Sequence, residues 1–232
     1  MKNEIKIAHV HLETPLLVSE KFVQLLIIEN ANEFYKTVTE LEACFENGEG
    51  SFIFSSKEQI INPAKSGVMV LDLFHLDLND KKIINLLYKK LEKEVFAKRV
   101  SLLNQLNSKL TEFLEETFVS APFALDYDEI QPIDYFKVAG VKFQKDYTSI
   151  EEKIVCYVNT LIELKNCEFF VFVNLKSILS DEKLQAIYKH CELEQVGLLL
   201  IESSKIRPLL ENEKAIIITE DLCEILENYD DL

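Results

Sequence analysis

Carboxylates are the densest chemistry-bearing groups in this sequence. Asp126-Tyr127-Asp128-Glu129, followed by Asp134, crowd a stretch broken by Pro122 and Pro132. Hard oxygen ligands close together in a loop suit Ca²⁺, although the spacing is not that of an EF-hand. The residues alone favour a solvated acidic loop. His9-Val10-His11 sets two imidazoles on one side of an extended segment, but no third metal ligand follows at a recognisable spacing. Val68-Met69-Val70-Leu71-Asp72 is an apolar run ending in aspartate, the form of the Mg²⁺-holding strand in P-loop NTPases. That chemistry also needs glycines, so that backbone N–H groups can approach a phosphate. None of the five glycines lies in GxxxxGK[ST] or GxGxxG. Asp72 therefore reads as the capped end of a strand. No Ser or Cys sits in an activated-nucleophile pattern, so hydrolysis has no visible machinery.

Charge is unevenly distributed. The chain holds 25 Lys and Arg against 40 Asp and Glu, a formal net charge of -15. Residues 80–165 carry 13 basic and 14 acidic side chains, residues 1–79 carry 6 and 12, and residues 166–232 carry 6 and 14. A nearly neutral middle between two acidic flanks marks a compositional boundary. Within it Lys81, Lys82, Lys89, Lys90, Lys93, Lys98 and Arg99 read as the solvated face of a helix, interleaved with Glu92 and Glu94. Five scattered cysteines suit buried thiols in a reducing cytosol better than a disulfide framework or a zinc site. No apolar run approaches the roughly 20 residues of a membrane span, and Met1-Lys2-Asn3-Glu4 precedes no signal-peptide core. A cytoplasmic protein with no membrane partner is the expectation.

The elements that must position these groups form two kinds. Phe169–Val173 and Val196–Ile201 are unbroken apolar runs, read as strands buried on both faces. Between them a helix starts at Ser180, presents Leu184, Ile187 and Tyr188 on one face, and ends near Lys189-His190. Strand, helix and strand make a parallel βαβ unit. Further strands are expected over 5–13, with His9 and His11 on one side, and over Phe22–Ile28, Ser51–Phe54, Gly67–Leu73 and Lys214–Ile218. A helix runs from Asn32 through Cys44, and Asp221–Leu226 reads as a closing helical turn before an acidic tail. From Asp80 to about Val119 the pattern is helical without proline or glycine, with a narrow stripe from Ile84 through Leu91, Leu106 and Phe113 to Leu114. Arg99 falls where the stripe should continue, so a break is expected there. Residues 120–149 read as looped, and a second helix carries Ile150, Ile154, Tyr157, Val158, Leu161 and Leu164. The result is an α/β class protein, with a discontinuous parallel-sheet head (1–79 and 166–232) and an inserted helical leg (80–165). A narrow apolar stripe on long helices calls for burial against each other or another subunit.

This order of elements, together with Phe169–Ser203, Leu125–Phe143 and Leu25–Tyr35, resembles the type II-A CRISPR adaptation proteins, the Csn-two family. The resemblance spans nearly the whole chain and rests on pattern and scattered residues rather than a signature motif. It implies a P-loop-NTPase-like head without working nucleotide machinery and a helical leg. It further implies a homotetrameric ring that binds calcium and encircles double-stranded DNA, preferring free ends, during spacer acquisition. Integrase and RNA-guided nuclease are the implied companions. Asp126, Asp128 and Glu129, with Glu152 on the return helix, become the implied calcium ligands. Lys57, Lys65, Lys142 and Lys176 become the implied DNA contacts. Two other readings stay open: a degenerate NTPase-like enzyme using Asp72, and an oligomeric scaffold whose helical arm binds a protein partner.

Overall fold

The computed structural model describes residues 4–229. Contacts divide the chain into two compact units, residues up to 76 together with those from 147 onward, and residues 77–146. The first unit opens with β1 (Ile5–Ala8), β2 (Leu16–Val18), β3 (Val23–Ile28), α1 (Ala31–Glu46), β4 (Ile53–Ser56), β5 (Gln59–Ile60), α2 (Pro63–Ser66) and β6 (Gly67–Val70). The second unit is α3 (Lys81–Lys98), α4 (Val100–Val119) and α5 (Pro132–Val138). The chain then returns to the first unit through α6 (Ile150–Lys165), β7 (Phe169–Val173), α7 (Leu175–Ile178), α8 (Asp181–Leu193), β8 (Gly197–Glu202), β9 (Glu213–Ile218) and β10 (Glu224–Asn228).

Six strands form the main sheet in the order β10-β9-β3-β8-β7-β6. Every pair is parallel except β10 on β9. β3, β7 and β8 are buried at every position, which is what continuous apolar runs covered on both faces require. On one face Leu26, Ile28, Phe169, Val171, Leu199 and Ile201 join Leu41 and Cys44 of α1. Ile5, Ile7, Leu16, Val18 and Phe54 of a small antiparallel sheet, β2-β1-β4-β5, complete that layer. Alternate residues Phe170 and Phe172 point to the opposite face, where Ile154 and Val158 of α6 and Leu184 and Ile187 of α8 are buried.

Several boundaries differ from the sequence reading. β1 stops at Ala8, so His9 and His11 lie in the turn that follows it, not on a strand. The strand expected at 51–54 is β4, displaced to Ile53–Ser56 and closed by a hairpin to β5. β6 ends at Val70, two residues short of Asp72. Residues 132–138, expected in a loop, form α5, started by Pro132 and a capping box between Gln131 and Asp134. α6 falls in the sheet unit and not the helical one, moving that boundary from 165 to 146. Its apolar face is legible from periodicity, but periodicity does not say what covers it. Here α8 does, with Lys183 Nζ 2.9 Å from Glu151 and His190 Nε2 2.7 Å from Asn159. Asp221–Leu226 is not a helical turn. Leu222 adopts φ 62° and the chain folds back, so that Glu224–Asn228 satisfies its backbone groups against β9. The acidic tail beyond it lies outside the described residues. The break expected at Arg99 is present, at φ -134° and ψ 18°, between α3 and α4.

Candidate functional site

In a nucleotide-binding sheet the phosphate loop lies between a central strand and its following helix, whose free N–H groups face the anion. Here β3 ends at Ile28 and α1 starts at Ala31, leaving only Glu29 and Asn30 between them. Asn30 Oδ1 accepts the N–H groups of Asn32 and Glu33, each at 3.1 Å. Its amide nitrogen donates to the Glu220 carbonyl at 3.1 Å. The donors a phosphate would use are therefore taken by the helix's own cap. Glu33 in the first turn adds negative charge where an anion would bring its own. Asp72 is far from completing this corner, because β6 sits at the sheet edge with β7 and β8 between it and β3. Its carboxylate binds the His75 ring at 2.6 Å and the Phe74 N–H at 2.9 Å. The His75 hydrogen bond holds it below the usual aspartate range.

Asp126, Asp128 and Glu129 do share a pocket, with Asn107 and Thr111 of α4. Yet among the described residues no three His, Cys, Asp or Glu side chains come together in a group able to hold a metal ion. Asp126 instead accepts the Tyr127 N–H at 2.9 Å. Asp134, the other acid of this stretch, caps α5 and pairs with Lys137 at 3.1 Å. Glu152 belongs to the sheet unit, where it accepts the Thr148 N–H at 2.7 Å and hydroxyl at 2.9 Å. Glu152 thus belongs to the other unit, and the oxygen donors at the acidic loop are Asp126, Asp128 and Glu129. His9 is likewise committed: its Nδ1 accepts the His11 N–H, and its Nε2 meets Glu40 at 2.9 Å. The Ser51 hydroxyl also bonds Glu40 and holds its carboxyl below the usual range. The order is Ser–Glu–His, so the hydroxyl meets a carboxylate of lowered basicity and not the His9 ring, unlike an activated serine nucleophile.

Of the lysines, Lys57 is exposed at the β4–β5 turn, Lys65 on α2 and Lys142 in the segment after α5. Lys176 is not available to DNA. It is 4 % exposed, and its ammonium lies 2.5 Å from Glu213 Oε2 beneath the surface. Sequence spacing treats a lysine just past a strand as surface, and only tertiary packing brings the buried Glu213 to it. The helical unit presents a different feature. α4 has no buried residue over its 20 positions, and Leu102, Leu106 and Phe113 are exposed to 59 %, 46 % and 63 %. α3 beside it buries Ile83 and Tyr88, whose hydroxyl donates to the Val141 carbonyl at 3.0 Å.

A family model for the CRISPR-associated protein Csn2 matches residues 44–222 of this chain. The chain belongs to the Csn2 family. It is 25 % identical over 207 residues to the CRISPR-associated protein Csn2 of Streptococcus agalactiae, covering 88 % of this chain and 92 % of that one. The Enterococcus faecalis CRISPR-associated protein Csn2 is 22 % identical over 152 residues, 65 % of this chain and 69 % of its own. Among solved structures, a nucleotide-free ATP-binding cassette of an ABC transporter aligns with a TM-score of 0.50 at 12 % identity, over 97 % of this chain and 92 % of the other. At that identity the likeness is one of fold alone: this Csn2-family chain has a P-loop-NTPase-like α/β architecture. It carries a CRISPR-associated role, and its strand-to-helix junction departs from that of a nucleotide-binding member of the fold.

Proposed function

We propose that this chain is a non-enzymatic, double-stranded-DNA-binding protein that assembles as a homotetrameric ring and acts in CRISPR spacer acquisition in the cytoplasm, beside an integrase and an RNA-guided nuclease. The observation that supports the assembly is α4, a helix of 20 residues with no fully buried position, which leaves Leu102, Leu106 and Phe113 exposed. Contiguous exposed apolar surface of this kind marks an interface. The closed β3–α1 junction supports the non-enzymatic part, since a loop of two residues cannot cradle β- and γ-phosphates.

DNA binding has to work against a formal charge of -15 per subunit, so it rests on a local basic lining rather than on bulk attraction. Lys57, Lys65 and Lys142 are the exposed candidates for that lining. Affinity then comes from counterion release and falls steeply with salt, alike for all sequences. In a gel-shift titration, linear duplex should bind and relaxed closed circles should bind poorly, because a closed ring cannot thread them. Charge reversal at Lys57, Lys65 and Lys142 together should weaken binding to every sequence equally. Equal binding of linear and circular duplex would sink the ring reading. ATP hydrolysis that disappears in Asp72→Ala would favour the rival enzyme instead.

Calcium is a separate proposal, with Asp126, Asp128 and Glu129 as its oxygen donors. One protomer does not bring a full set together, so no step of DNA binding is routed through the ion. Titration calorimetry decides it: calcium heat that vanishes in the D126N/D128N double variant supports binding there, and the absence of heat removes calcium from the reading.

A further inference from the structure

Among the described residues, the most densely charged interior site lies in the sheet unit. Three ionisable side chains meet under α8, on the face of the main sheet. Glu202, at the end of β8, and Glu213, at the start of β9, are each 1 % exposed, and Lys176 of α7 is 4 % exposed. The Lys176 ammonium binds Glu213 Oε2 at 2.5 Å, while the Lys176 backbone N–H donates to Glu202 Oε1 at 2.8 Å. Glu213 is further held by the Tyr188 hydroxyl at 2.7 Å and the Leu210 N–H at 2.7 Å. Arg207 closes the far side: it pairs with Asp181 at 2.6 Å, and its Nη2 donates to the Lys176 and Leu179 carbonyls at the two ends of α7. Two side-chain atoms of this web, Glu202 Oε2 and Arg207 Nε, are buried without a hydrogen-bond partner.

A buried carboxylate oxygen without a donor is among the costliest arrangements in a protein interior. The one buried ammonium, that of Lys176, is bound to Glu213 and leaves Glu202 with only the Lys176 backbone N–H, while the nearby Arg207 is already matched by Asp181. With both glutamates ionised the site would carry an excess negative charge. Neutralising one of them removes the imbalance, and the one with the orphaned oxygen is Glu202. Its surroundings agree: burial raises its carboxyl to about 7, with Glu213 pushing the same way, against the pull of the Lys176 N–H and ammonium and of the Ser177 N–H.

We propose that Glu202, Lys176 and Glu213 form a proton-linked latch that holds α7 and the 207–213 segment against the main sheet. With Glu202 protonated, Lys176 belongs to Glu213, and Glu213 fixes Tyr188 and Leu210. When the proton leaves, a second carboxylate competes for the same ammonium, and the web that ties α7 and Leu210 to the sheet loosens. Tyr188 does not titrate in this range, since burial beside Glu213 pushes its phenol well up. The chain's response to a shift from mildly acidic to mildly alkaline conditions is thereby concentrated where α7 and the 207–213 segment meet the sheet.

Two measurements on the intact protein test this. Carbon-13 NMR of labelled glutamate follows the Glu202 side-chain carboxyl directly, and it should titrate between pH 6 and 8. Amide hydrogen exchange, corrected for its intrinsic pH dependence, should show protection at Lys176 and Leu210 falling about tenfold from pH 6 to pH 8.5. In Glu202→Gln that fall should be absent, because no proton remains to be lost. A Glu202 that titrates in the ordinary carboxylate range overturns the latch. So does wild-type protein whose Lys176 and Leu210 amides are equally protected at both pH values. The wild-type measurements decide the matter even where the variant folds poorly.

Discussion

The sheet unit and the helical unit solve the same problem by opposite means. Each must take apolar side chains out of water. In the sheet unit β3, β7 and β8 are buried at every position, covered by α1 and the small sheet on one face and by α6 and α8 on the other. In the helical unit α3 buries Ile83 and Tyr88, but α4 buries no side chain fully. One unit closes its apolar faces within the single copy, and the other leaves apolar side chains of α4 exposed. The difference separates residues that determine whether the protein folds from those on which the proposed assembly would rest.

Measured as unfolding free energy, that contrast predicts a graded series. Phe172→Ala, in the middle of β7 and 0 % exposed, should cost about 3–5 kcal/mol in a denaturant titration. A loss below about 1 kcal/mol would mean the sheet core is looser than its burial indicates. Glu202→Gln comes next and has a pH signature. The folded-state carboxyl lies at about 7, above its ordinary 4.5, so the native state holds this proton more tightly than the unfolded chain. The associated stability is fully present below about 4.5 and is lost as pH rises to about 7. The variant should therefore match wild type near pH 4.5 and exceed it by about 3 kcal/mol at pH 8. Thermal melts across that range check the sign.

Asn30→Ala should cost about 1 kcal/mol, by releasing the Asn32 and Glu33 N–H groups at the start of α1. It should yield no ATP binding, since Glu33 and the short junction remain. Binding recovered by this one change would show that the cap alone closes the phosphate end. The smallest effect on stability is expected from the L106D/F113D double variant, under about 0.5 kcal/mol, because both side chains already face water in the protomer. Its effect on mass should be complete: light scattering should report the 26.9 kDa protomer where the parent reports a larger species. A parent that is itself 26.9 kDa at micromolar concentration would dissolve the contrast between the two units.

How much of this was legible in the sequence follows from which interactions are local. The runs Phe169–Val173 and Gly197–Glu202 announced buried parallel strands, because no polar alternation interrupts them. The break at Arg99 was legible as a basic residue in an apolar stripe. Missing glycines foretold a sheet without a phosphate loop, although not that Asn30 would occupy the donors itself. What stayed hidden depends on distant partners. Lys176 looks like any lysine after a strand until Glu213 arrives from another strand. β10 looked like a helical turn because a short edge strand takes its identity from β9. The carboxylates of Asp126–Glu129 showed their density but not their directions, and metal binding depends on directions.

The strand order carries one more consequence, and it concerns time. β3 is made early, yet both of its neighbours come from the far end of the chain: Leu25 pairs with Leu200 on one side and Ala215 on the other. At roughly 5–20 residues per second of synthesis, β3 waits on the order of 10–40 s with both edges open before β8 and β9 leave the ribosome. The helical unit, built from contacts between near neighbours in sequence, can form during that interval. Nascent chains of this protein thus carry a folded middle and an unpaired apolar strand ahead of it, a state in which chaperone capture or aggregation competes with completion of the sheet.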